Sequence, residues 1–138
     1  MRATPLLLTM ATALAGLTAC TTPPPSDDAA AEGQAKFAEV TAGKVAGGPI
    51  SCLPPSIRSR NMIVIDGRTI AYEDSSRRVY VNHLRGECDN LRSGFTSLVV
   101  RSGGSGTCNG DIADVADVRT GMTYGSCALG EFVPYTRP

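Results

Sequence analysis

Residues 62–72, Met62-Ile63-Val64-Ile65-Asp66-Gly67-Arg68-Thr69-Ile70-Ala71-Tyr72, place β-branched runs on either side of an Asp-Gly pair. Asp-Gly accepts the two positive-φ positions of a type I′ turn, and runs of this composition joined by such a turn form a hairpin. Pairing Ile65 with Arg68 sets Ile63 opposite Ile70. Ile63, Ile65, Ile70 and Tyr72 then share one face, and Met62, Val64, Thr69 and Ala71 the other. Both faces are largely apolar, so the hairpin belongs inside a closed or two-layer structure where neither face meets water.

Working outward, the polar turn Asp74-Ser75-Ser76-Arg77 leads to a third strand over Arg78–Leu84. Phe95–Arg101 reads as a fourth, and Ser102-Gly103-Gly104-Ser105-Gly106 as the glycine-rich connection after it. Between Asp111 and Val118 the apolar residues Ile112, Val115 and Val118 recur every three positions, which suits a short helix. The β-branched content of the same segment favours a strand, the reading adopted here. Met122–Tyr135 supplies one or two more strands. The expected fold class is all-β: a small disulfide-stapled barrel or sandwich of five to seven short strands, preceded by a disordered N-terminal tether.

The segment 49–138 holds 10 Arg and no Lys against 9 Asp and Glu, a net charge near +1. Such a balance gives no electrostatic reason to expect nucleic acid as a partner. About 90 residues bury only roughly 60% of their unfolded surface, and the whole chain has no Trp and three Phe. Covalent help is expected, and besides Cys20 the chain has four cysteines, Cys52, Cys88, Cys108 and Cys127. An even number in an exported domain reads as two disulfides, with three possible pairings. The favoured one joins Cys88 to Cys108 across an intervening hairpin and Cys52 to Cys127 across the domain. The spacings of 35, 19 and 18 intervening residues contain no CxxC knuckle, which argues against zinc and against a redox pair.

The N-terminus carries different information. Arg2 precedes an uncharged apolar stretch, Leu6 to Leu17, of about a dozen residues, too short to span a membrane and right for a signal-peptide core. It ends in Leu17-Thr18-Ala19-Cys20, which resembles the bacterial lipobox. That resemblance implies a lipoprotein signal peptide over residues 1–19, cleavage before Cys20 and a diacylglycerol on the Cys20 sulfur. A membrane is thus one expected partner, through the anchor. The alternative is an ordinary secretory signal cut near Ala19, with Cys20 left as a thiol. Thr21 stands where enteric-type sorting places Asp in inner-membrane lipoproteins, so the resemblance implies the outer membrane. Residues 20–48 are Pro-, Ala- and Gly-rich with few large apolar residues, and read as a disordered tether. The 28 residues after Cys20 would span roughly 30 Å as a coil. Ala29–Ala42 is rich in helix formers, yet a lone helix of that length is marginal in water.

No constellation identifies a reaction. His83, the single histidine, falls on the strand face shared by Val79 and Val81, with no nucleophile or carboxylate fixed beside it by the sequence. Asp111, Asp114 and Asp117 recur every three residues, but the apolar residues between them break the alternate-ligand pattern of a calcium loop. A solvated acidic face is the expectation there. Gly103-Gly104-Ser105-Gly106 lacks the Lys of a phosphate loop. No metal or cofactor is expected, and no catalytic residue is assigned.

Several segments nevertheless fall in a recognisable order: Cys52-Leu53 with Ile57-Arg58, Ile65 to Ile70, Tyr80 to Leu84 ahead of Cys88, Cys108-Asn109-Gly110-Asp111-Ile112, and Ser126 to Phe132. Over residues 50–134 the set resembles the DUF6491 family, small exported proteobacterial proteins defined only as a domain of unknown function. The resemblance implies one unit framed by the four cysteines, a structural role for the Cys108–Ile112 and Ser126–Gly130 segments, and a Gram-negative envelope setting; it implies no activity. The functional expectation is a non-enzymatic envelope lipoprotein facing the periplasm, binding another protein or a cell-wall component. Arg58, Arg60, Arg77, Arg78 and Tyr124 are candidate contacts. An inhibitor of lysozyme-like wall hydrolases and a hydrolase working through Asp and His are the alternatives.

Overall fold

The computed structural model describes residues 26–57, 61–88, 90–101, 104 and 106–138. The expected signal peptide, Cys20, Arg58 and Arg60 lie outside these residues. Among these residues one helix, α1 (Asp27–Thr41), precedes eight strands: β1 (Val45–Ala46), β2 (Met62–Val64), β3 (Thr69–Ser75), β4 (Arg78–His83), β5 (Thr96–Arg101), β6 (Ile112–Asp117), β7 (Thr123–Ala128) and β8 (Phe132–Thr136). They form two antiparallel sheets, ordered β1-β8-β4-β3-β2 and β5-β6-β7. The chain meanders through β2, β3 and β4, crosses to the second sheet for β5, β6 and β7, and returns as β8 to pair with β4. The sheets pack across a shared core without closing into a barrel, so the sandwich is the all-β arrangement formed. The ambiguous segment is strand β6, paired on both sides.

Strand alternation decides what fills the space between the sheets. Ile70 and Tyr72 of β3, Tyr80 of β4 and Phe132 of β8 meet Leu98 of β5, Val115 of β6 and Cys127 of β7 in one buried cluster. The Tyr72 and Phe132 rings lie 6.1 Å apart. The Tyr72 hydroxyl is buried there with no hydrogen-bond partner, and burial pushes its pKa up to about 12.

The expected hairpin forms, with its register moved by one residue. Ile63 pairs with Ala71 and Val64 with Ile70. Met62, Val64, Ile70 and Tyr72 therefore face the second sheet, while Ile63, Ile65 and Ala71 face away from it. The type I′ turn is replaced by a three-residue loop, Asp66-Gly67-Arg68, in which the Ile65 N–H donates to the Thr69 carbonyl and Gly67 takes no positive φ. A slip of one residue exchanges the two faces of a strand, and with both faces apolar the local pattern held no preference. The deciding bonds come from elsewhere in the chain: the Leu84 N–H donates to the Arg68 carbonyl and the Cys88 N–H to the Gly67 carbonyl, each at 2.8 Å.

The face turned away from the second sheet is covered by α1. Gly33, Phe37 and Val40 fall four and three residues apart, one stripe of a helix. Phe37 and Val40 pack on Ile65, Ala71, Val79 and Val81, and the Phe37 ring meets Tyr135 edge-on at 5.9 Å. Gly33 is the buried residue of the helix; a Cβ there would stand 3.1 Å from the Asp66 Cβ. Asp27 and Asp28 suit the positive end of the helix dipole. At the other end the Lys44 ammonium donates to the Val40 carbonyl at 2.8 Å. Beyond it β1 pairs with β8, and Ile50 bridges Phe132. The expectation of a disordered tether over 20–48 is thus corrected across 27–46. Burial of one apolar stripe supplies the stability that an isolated helix lacks.

The disulfide pairing is also corrected. Cys52 bonds Cys108 and Cys88 bonds Cys127. Cys52 and Cys108 sit opposite each other in an antiparallel bridge, with the Leu53 N–H donating to the Thr107 carbonyl and the Asn109 N–H to the Ser51 carbonyl. Cys88, held against the β2–β3 loop, meets the inward-facing Cys127 of the second sheet inside the shared core. Spatial neighbours of this kind are set by the crossing between sheets, which spacing along the chain does not encode.

Candidate functional site

Where α1 crosses the loop end of β3 and β4, a cleft of about 590 Å³ opens between helix and sheet. Ala29, Ala30, Gly33, Gln34 and Phe37 of α1 form one wall. The opposite wall is built from Asp66, Gly67 and Arg68 of the β2–β3 loop, Thr69 and His83 at the paired ends of β3 and β4, and Leu84, Glu87 and Arg92 beyond them. Gly33 is what lets helix and loop approach, since a side chain there would crowd Asp66.

The polar groups of the cleft are largely committed to one another. Arg68 faces Glu87 at 3.4 Å, and Arg92 reaches Glu32 of α1 at 2.7 Å. The Asp66 carboxylate accepts the Arg68 N–H at 2.7 Å. The His83 Nδ1 lies 3.4 Å from the Thr69 hydroxyl, and Thr69 is itself buried. Among the described residues no carboxylate is hydrogen-bonded to the His83 ring, so no nucleophile, base and orienting group are aligned as acyl transfer requires. The cleft can hold a small ligand through amide, acidic and guanidinium groups beside the apolar side chains of Phe37, Leu84 and the two alanines.

The three aspartates do not form the solvated face expected of them. Asp114 and Asp117 are buried. Asp114 pairs with Arg101 across β5 and β6, and Asp111 accepts the Cys108 N–H at 2.8 Å. Asp117 accepts the N–H groups of Arg119 and Thr120, which hold its carboxyl below the usual carboxylate range. Each carboxylate closes a turn or a strand pair, and among the described residues no three His, Cys, Asp or Glu side chains gather as a metal site requires.

The candidate contact residues are dispersed. Arg77 and Arg78 lie at the β3–β4 turn, the end of that hairpin remote from the cleft, where Arg78 approaches Asp74 at 4.0 Å. Tyr124 stands exposed on β7 in the other sheet. His83 does share the helix-side face of β4 with Val79 and Val81, and among the described residues it is the one candidate that lines the cleft. The rest of the site is not legible while residues 20–48 read as tether, because one of its walls is α1. Two signals pointed to it: a glycine inside an otherwise helix-forming run, which costs about 1 kcal/mol unless packing requires it, and the spacing from Gly33 through Phe37 to Val40.

Two disulfides place the domain in an oxidising compartment, extracellular or periplasmic. No helix among the described residues is long and apolar enough to cross a membrane. No family model, curated protein or solved structure matches the chain.

Proposed function

We propose that the protein is a lipoprotein of the Gram-negative envelope, anchored through Cys20 and facing the periplasm from the outer membrane. In this reading its domain binds a cell-wall component in the α1 cleft without changing it chemically. The cleft carries the reading: its volume falls within the roughly 300–1,000 Å³ of small-ligand sites, and it presents acids, guanidinium groups and an amide beside apolar side chains. Those groups suit a short peptide or glycopeptide bearing both charges and amides, which a concave site encloses better than it matches a broad protein surface. The lipobox-like Leu17–Cys20 and the resemblance of residues 50–134 to exported envelope proteins support the setting.

Titration of isotope-labelled protein with soluble disaccharide-peptide wall fragments tests this directly. Amide signals of Gly67, Arg68, His83, Leu84 and Glu87 are expected to move in one saturable process, those of β5 to β7 to stay, and Arg68→Ala to weaken binding. Saturating fragments that leave the cleft amides unmoved would refute the assignment.

A further inference from the structure

The docked helix changes how the proposed anchor can hold the domain. α1 begins at Asp27, so six residues separate Cys20 from the first anchored part of the fold. Even fully extended they reach about 20 Å. The domain is therefore kept against the lipid surface.

Exposed apolar side chains lie on that flank. Gly94 and Thr96, on either side of Phe95, line a crevice with Glu32 and Lys36 of α1. Phe95 thus sits beside the middle of the helix, about a turn and a half from the end at Asp27 where the anchor segment arrives. The turn between β6 and β7 sits next to it: the Val118 N–H donates to the Phe95 carbonyl at 2.9 Å, and the Asp117 N–H to the Met122 carbonyl at 2.9 Å. Phe95, Val118 and Met122 are 54%, 66% and 60% exposed, a concentration of large apolar side chains that a water-facing turn does not need. Across 117–124 the exposed charge is Arg119, whose guanidinium lies 4.1 Å from the Phe95 ring centre. Asp117 is buried and holds the turn. Apolar tips with a guanidinium beside them match an acyl boundary below phosphate headgroups.

We propose that Phe95, Val118 and Met122 form a docking edge that inserts into the phospholipid surface holding the anchor, with Arg119 at the level of the headgroup phosphates. The inference rests on lipidation at Cys20 as proposed above. Docking fixes the orientation of the domain on its membrane, so that the α1 cleft has a constant height and aspect toward the wall.

The chain has no Trp, so Met122→Trp places a single reporter on the edge, with Val118→Trp as a second reporter and Val45→Trp on β1 as the control. Each lipidated, full-length mature variant is reconstituted into vesicles of phosphatidylethanolamine and phosphatidylglycerol carrying brominated acyl chains. Mass spectrometry of the same samples reads the lipid on Cys20 and both disulfides. The expected result is a blue shift and loss of most emission for Trp at 122 and 118, with neither change at 45. A confirmed lipid with both edge reporters as water-exposed as the control overturns the docking edge and leaves the anchor standing. An unlipidated Cys20 overturns both. A blue shift that appears without vesicles as protein concentration rises overturns the proposal in favour of a second copy of the chain as the occupant.

Discussion

Asn82 ties the first sheet to the returning chain. Fully buried on β4, its amide donates to the Gly130 carbonyl at 2.7 Å and its side-chain oxygen accepts the Gly130 N–H at 3.0 Å. Asn82→Ala leaves both backbone groups buried and unpaired, at an expected loss of about 2–4 kcal/mol in urea unfolding. Gly130→Ala is expected to cost at least as much, because a Cβ there runs into the His83 carbonyl oxygen, a backbone atom that cannot turn aside. Tyr72 makes the opposite case: removing its unpartnered hydroxyl in Tyr72→Phe should leave stability unchanged or raise it by about 1 kcal/mol. The same residue sets an alkaline limit. With a folded pKa of about 12 against about 10 in the unfolded chain, the folded state binds the proton more tightly, so stability falls as pH rises from 10 to 12. The loss amounts to about 3 kcal/mol; it should be absent from Tyr72→Phe itself and appear as the pH dependence of the difference between wild type and that variant.

At the scale of elements, the strands were legible and their partners were not. The runs at 62–72, 78–84 and 95–101 carry enough β-branched residues to declare themselves; the second and third form within a residue of their expected limits, while β3 runs three residues past Tyr72, through part of the expected turn, to Ser75. The hairpin register was illegible because Ile63, Val64, Ile70 and Ala71 are all apolar; hydrogen bonds from Leu84 and Cys88 decided it. α1 was illegible for a different reason. Its buried stripe is three residues wide, Gly33, Phe37 and Val40, and its stability comes from a surface that exists only once β3 and β4 have paired. Phe37→Ala should therefore lower stability by about 1–3 kcal/mol and open residues 27–44 to proteolysis. Glu32→Ala, which removes an exposed ion pair with Arg92, should cost at most about 1 kcal/mol.

The whole molecule is a two-sheet core with a helix on its outer face and a covalent frame. In the chain-entropy account each disulfide, with separations of 56 and 39 residues, contributes up to about 4 kcal/mol. Peptide mapping without reduction should recover Cys52 linked to Cys108 and Cys88 linked to Cys127, with no Cys88–Cys108 species. That four cysteines would frame the domain followed from their number; their pairing required the crossing from β4 to β5. The candidate site was legible only at His83, because a cleft walled by helix and loop needs both in place. The claim on which the cleft, the short proposed anchor segment and the proposed orientation of the domain all depend is that α1 belongs to the fold. Amide hydrogen exchange across residues 27–41 of the full mature chain tests it most directly. Protection within reach of that of β4, increasing at Ala29, Ala30 and Gly33 when wall fragments bind, is the predicted result. Exchange at the rate of an unstructured peptide, with and without fragments, would contradict the account, since the cleft would then have lost its wall.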